Sequence, residues 1–213
     1  MTDALRDLVR VMDRLRSPGG CAWDAEQTHE SLVPYALEEA YELAEAIETG
    51  DRTGLREELG DVLLQVVFHA RIAAEDPQDP FDVDDVAADL VAKLVRRHPH
   101  VFETAAVEAE RSSPDLHVQW DKLKNSEKSR ASALDGIPIA LGALARAQKV
   151  ADRAARAGLD VSAPDGTDGD LGARLLALVL EARATGVDAE GALRRTAAAW
   201  EHALRAQEPT TAP

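Results

Sequence analysis

The apolar residues of this chain recur at helical spacing, and no segment alternates in the manner of a strand. Leu5, Leu8, Val9, Met12 and Leu15 set the pattern, and Leu55, Leu59, Leu63, Val66 and Val67 repeat it. Stripes of this kind are buried by packing helix on helix. Composition points the same way. Apolar residues make up 45% of the chain but aromatic ones only 4%, so Ala, Leu and Val carry the core. Ala and Leu are strong helix formers. With short connections between the stripes, the expected fold is an all-α antiparallel bundle.

Stop signals divide the stripes into helices. Ser17-Pro18-Gly19-Gly20 ends the first. A loop carrying Cys21, Trp23, Asp24 and His29 leads to a second helix over about 31–49, with Pro34 in its first turn and Gly50 closing it. A third helix spans about 53–74. Asp82 caps a fourth that runs to Arg97, where His98-Pro99 ends it. Ser113-Pro114 opens a helix holding Trp120 and Lys124, and another runs from Ile137-Pro138 to about Ala157. A Gly- and Asp-rich linker over 162–169 precedes two final helices, about 170–185 and 188–206.

The formal net charge of −15 opposes nucleic-acid backbones and anionic membranes, so neither is an expected partner. A single cysteine, Cys21, permits no intrachain disulfide. The N-terminus lacks the apolar stretch of a signal peptide, and no run is apolar enough to span a bilayer. The expected location is the cytoplasm.

Two acidic clusters carry the chemistry. Glu38-Glu39-x-x-Glu42 lies on the second predicted helix, and Glu58-x-x-Asp61 on the third. Residues three apart share a helical face, with Cβ atoms roughly 5–6 Å apart. Glu58 and Asp61 sit among Leu59, Val62, Leu63 and Val66, on the most apolar helix of the chain. Ionised carboxylates there need a partner or a metal. Arg56 and Arg71 are the salt-bridge alternatives. Two converging pairs make an all-oxygen pocket of the kind hard divalent cations require, and that reading is favoured. Lys93 and Arg97 share a face near a helix C-terminus, where they either offset the helix dipole or clamp phosphate oxygens. Trp120 and Lys124 are also four apart. They suit a nucleobase beside phosphates, or are a core indole with a solvated lysine.

These motifs in this order resemble the MazG signature. So do Cys-Ala-Trp-Asp-Ala-Glu-Gln-Thr-His at 21–29, Arg-Glu-Glu-Leu-Gly-Asp-Val-Leu-Leu-Gln-Val-Val-Phe-His at 56–69 and Arg-Arg-His-Pro-His-Val-Phe at 96–102. Ala-Leu-Asp-Gly-Ile-Pro at 133–138 and Arg-Ala-Gln-Lys-Val at 146–150 extend the likeness over most of residues 1–160. Ala22 stands where family members usually have Pro, a change in loop stiffness rather than chemistry.

The resemblance implies an all-α homodimer that hydrolyses nucleoside and deoxynucleoside triphosphates to monophosphate and pyrophosphate. It implies magnesium, with manganese as a substitute. Carried over by position, Glu39, Glu42, Glu58 and Asp61 are metal ligands and Glu38 is a general-base candidate. Lys93 and Arg97 bind phosphate, and Trp120 and Lys124 contact the nucleotide. A related helical dUTPase or phosphoribosyl-ATP pyrophosphohydrolase is the rival within enzymes. A non-catalytic helical regulatory protein is the rival outside them.

Residues 170–183 line up with 58–71, with Ala173 at the place of Asp61 and no Glu-Glu-x-x-Glu before it. The expected organisation is a catalytic domain over 1–160, a linker over 161–169, a degenerate remnant of a second such domain over 170–206, and a tail over 207–213.

Overall fold

A computed structural model describes residues 3–102, 132–162 and 170–208. The described residues form nine helices and no strand. They fall into two compact units, one within Met1–Leu116 and one within His117–Pro213. The expected helix around Trp120 lies outside the described residues, as do residues 163–169 of the linker.

The first unit holds α1 (Ala4–Arg16), α2 (Ala22–Glu26), α3 (His29–Thr49), α4 (Arg52–Ala73), α5 (Val83–Arg97) and the single turn α6 (Pro99–Phe102). Local chemistry sets the ends. Thr28 and Ser31 cap α3 reciprocally, which suits Pro34 just inside the helix. Gly50 ends α3 in the left-handed conformation at φ 72°, where a side chain would be strained. Asp51 then caps α4, its carboxylate accepting from the Thr53 N–H at 3.0 Å. Helices α3 and α4 therefore form a hairpin with a two-residue turn, and they pack along each other.

That turn fixes the register of the hairpin. Glu39 stands eleven residues before Gly50 and Asp61 eleven after it, while Glu42 and Glu58 each stand eight away. At about 1.5 Å of rise per residue, members of each pair reach the same height on adjacent helices.

The core of this unit is Met12, Leu32, Val67 and Phe68, with Leu8, Val9, Leu63, Leu64, Ile72 and Val83 around them. Trp23 meets Phe68 edge-on at 6.4 Å and Tyr35 at 6.0 Å. The region around Trp23, expected as loop, contains the five-residue helix α2. Tertiary bonds hold it. The Arg16 guanidinium donates to the Asp24 carbonyl at 2.5 Å and the Gln27 carbonyl at 3.0 Å. It also pairs with Glu75 at 2.9 Å and lies 5.9 Å over the Phe68 ring. Gly20 allows the chain to turn back at the end of α1, because a Cβ there would lie 2.2 Å from the Leu15 carbonyl oxygen. Gly20→Ala should destabilise the fold by about 1–3 kcal/mol, measured by urea unfolding.

The second unit packs α7 (Ala143–Arg156), α8 (Leu171–Ala184) and α9 (Ala189–Arg205) against one another. Val179, Ala151, Ala154 and Ile137 are buried. Polar bonds set the joints. Glu190 accepts from the Ala145 N–H at 3.1 Å, satisfying a free donor in the first turn of α7. Gln148 donates to the Val187 carbonyl and accepts from the Ala189 N–H, both at 2.9 Å. Helix α7 begins at Ala143 rather than at Ile137-Pro138, because Gly142 and the bend before it precede the first helical turn.

Candidate active site

The hairpin brings three of the expected carboxylates together. Glu39 on α3 and Glu58 and Asp61 on α4 each offer an oxygen, and these atoms lie within 4.8 Å of one another. All three side chains are half-buried. Glu42 is exposed and stands outside that three-atom group. It is still close enough to act on both Glu39 and Glu58 electrostatically. Glu38 is exposed on α3 next to Glu39.

Among the described residues no ion pair neutralises the cluster. Arg71, one of the two expected salt-bridge partners, bonds Asp13 at 2.8 Å and Glu75 at 2.7 Å instead. Arg56 is exposed and forms no ion pair with the cluster among the described residues. Partial burial, then the Asp61, Glu42, Glu58 and Glu38 carboxylates, push the Glu39 carboxyl above its usual range. Partial burial and then Glu42, Asp61 and Glu57 do the same to Glu58. Such carboxyls hold protons more tightly in the folded chain than in the unfolded one. The repulsion is therefore absent below the ordinary value of 4.5 and fully present above the raised one. In metal-free protein, Glu39→Gln should raise the thermal midpoint at neutral pH. The gain should shrink to nothing as pH falls through that window, as a series of melts would show.

Lys93 and Arg97 lie one turn apart on the last turns of α5, Lys93 exposed and Arg97 half-buried. The first turns of α5 pack on α4, where Val83 joins the core. Trp120 and Lys124 lie outside the described residues.

Two features of this region escape a reading of the sequence. His29 and His69, forty residues apart, stack with parallel rings 5.0 Å apart and facing Nδ1 atoms at 2.7 Å. One Nδ1 must donate and the other accept, so only one of the facing atoms carries a proton. Burial and then the neighbouring His29 hold the His69 ring below the usual histidine range. The second feature is an apolar groove between α3 and α4, in which Gln65 is the buried polar group. Its only sequence signal is an amide on the apolar face of α4.

Comparison with known proteins adds an independent line. Residues 27–102 match the MazG nucleotide pyrophosphohydrolase domain. A nucleoside triphosphate pyrophosphohydrolase/pyrophosphatase MazG of Thermotoga maritima is 40% identical over 212 residues, covering 89% of this chain and 79% of the relative. An uncharacterised 26.1 kDa protein of Streptomyces cacaoi is 51% identical over 205 residues, covering 96% of this chain and 82% of the relative. A nucleoside triphosphate pyrophosphohydrolase of Mycolicibacterium smegmatis is 49% identical over 160 residues, which are 74% of this chain. The chain spans only about half of that relative's length, 48%.

Proposed function

The chain belongs to the MazG nucleotide pyrophosphohydrolase family, and from that premise we propose that it hydrolyses nucleoside and deoxynucleoside triphosphates to the monophosphate and pyrophosphate, as a house-cleaning enzyme of the cytoplasmic nucleotide pool. The observation that carries the reading is the Glu39–Glu58–Asp61 group, three oxygen donors within 4.8 Å that repel one another and pair with no cation among the described residues. Such a donor set fits a hard divalent cation, and we assign magnesium, which manganese can replace. Glu39, Glu42, Glu58 and Asp61 would hold it. When bound, magnesium neutralises triphosphate charge and lowers the pKa of a water.

The chain's own groups do the rest. Glu38, exposed beside Glu39, accepts the proton of the attacking water. Lys93 and Arg97 grip phosphoryl oxygens and stabilise the charge that builds on them. Lys124 and Trp120, which lie outside the described residues, are carried over from the family resemblance as nucleotide contacts. Pyrophosphate release measured on standard and oxidised nucleotides, with and without magnesium, tests the whole scheme. Release should require the metal. No release from any triphosphate removes the reading.

The same proposal covers assembly and domain use. Leu37, Tyr41, Leu59, Leu90 and Leu94 are exposed on α3, α4 and α5, more apolar surface than a solitary helical unit usually leaves in water. A homodimer burying that surface explains it, and sedimentation should give twice the mass of one chain. Residues 1–160 form the catalytic domain, 161–169 the linker and 170–206 a remnant that keeps packing without chemistry. Ala173 on α8, at the place of Asp61, supports that view. Ala173→Asp should leave turnover unchanged.

A further inference from the structure

The open end of the α3–α4 hairpin, opposite the turn at Gly50 and Asp51, carries the His29–His69 pair. His29 is the first residue of α3, and His69 stands in the last turns of α4. Their Nδ1 atoms face each other at 2.7 Å, and the ring centres are 5.0 Å apart. The second distance exceeds the first by one ring radius at each end. The two nitrogens therefore lie on the line between the ring centres, each aimed at the other. That is the straight approach of a strong hydrogen bond. Zinc held in line by two imidazoles would part the nitrogens by about 4 Å, so the gap takes a proton and not a metal ion.

This bond gives the pair an unusual titration. In the neutral pair the donor ring carries its hydrogen on Nδ1 and has a bare Nε2, while the acceptor ring carries its hydrogen on Nε2. A first added proton goes to the bare Nε2 of the donor. The bond survives and becomes charge-assisted. A second proton must go to the accepting Nδ1, whose lone pair makes the bond. Two N–H groups of two cations then face each other, and the contact breaks.

The surroundings assign the two roles. His29 is exposed and shares a pocket with Glu75, Asp76 and Asp79. Glu30 follows it on α3, close enough to interact electrostatically. These carboxylates favour a cation on His29 against the positive end of the α3 dipole, although Glu75 is already paired with Arg16 and Arg71. His69 is half-buried in the groove with Val62, Val66, Phe81 and, from α5, Val86, all apolar. Burial and then His29 hold its ring below the usual histidine range. His29 is thus the donor that takes the first proton, and His69 the acceptor that resists the second.

We propose that the His29–His69 pair is a proton-operated clasp, which holds the open end of the hairpin shut near neutral pH and releases it in acid. Glu39 stands ten residues after His29 and Asp61 eight before His69. At about 1.5 Å per residue, the clasp is about 15 and 12 Å from these carboxylates along the arms that carry them. It concerns the hairpin itself and stands whether or not the chain hydrolyses triphosphates. Because the folded chain resists protonation of His69, the stabilisation is whole above the ordinary histidine value of 6.5 and is lost as pH falls below it.

The test is a double-mutant cycle on the full-length chain, with His29→Ala, His69→Ala and both changes together, unfolded in urea at about pH 8 and about pH 5. At the higher pH the two rings should be coupled by about fivefold in the unfolding equilibrium constant, the contribution of one hydrogen bond. At the lower pH the coupling should be gone. Additive single effects at the higher pH overturn the clasp. So does an equal coupling at both, which is what rings that merely fill space would give. Should a variant not fold, wild type labelled with nitrogen-15 histidine decides. The facing nuclei should share a scalar coupling across the bond at the higher pH and lose it at the lower. Two uncoupled rings that titrate near the ordinary value overturn the proposal.

Discussion

Asp61→Asn should lower magnesium-dependent pyrophosphate release by about 10³-fold or more. Groups that merely orient a metal ligand typically contribute about 10–100-fold, so a ligand within the Glu39–Glu58–Asp61 group should contribute more. The substitution keeps shape and removes charge. Because the cluster repels itself, the metal-free variant should be as stable as wild type or slightly more so. Loss of turnover together with an unchanged helical spectrum would therefore locate the defect in chemistry. Glu58→Gln should behave alike. Lys93→Ala should act more weakly and chiefly on KM, since an exposed lysine gives up part of its charge to solvent. Unchanged turnover in both carboxylate variants would leave the site without its proposed ligands.

Phe68→Ala should destabilise the protein by about 3–5 kcal/mol, read from the urea midpoint. The ring is 3% exposed and belongs to the cluster of Met12, Leu32 and Val67. It also receives Trp23 and the Arg16 guanidinium. Truncation opens a cavity and removes the surface on which α2 rests. Against a typical domain stability of about 5–15 kcal/mol, that is a large share. Phe68 stands seven residues beyond Asp61 on α4, so activity should fall with the folded fraction and no further. A change below about 1 kcal/mol would mean that the ring does not support this core.

What could be read before any coordinates was whatever depends on near neighbours in the chain. The end of α3 follows from Gly50 and the start of α5 from Asp82, each acting within a few residues, whereas α3 starts at His29 rather than about 31 because Thr28 caps it, and α4 at Arg52 because Asp51 caps it. The acidic pairs follow from helical spacing. Their convergence follows from a turn too short for anything but a hairpin. What stayed hidden depends on residues far apart. Helix α2 has five residues, too few to show a period, and it is held by bonds from Arg16. Glu75 stands four residues after Arg71, a spacing the sequence shows, but the bond from Arg71 to Asp13, fifty-eight residues away, has no trace in it. The stacked His29 and His69 are forty residues apart, and the burial of Gln65, whose Oε1 has no partner among the described residues, shows only once the helices are packed.

The equal arms of the α3–α4 hairpin imply a rule about length. One residue added or removed between Glu39 and Asp61, anywhere in the rigid arms, turns everything beyond it by about 100° and carries a carboxylate off the shared face. Evolution can lengthen the connection at 76–80 or trim either terminus, but this stretch must keep its count. Among relatives, gaps should cluster everywhere except there.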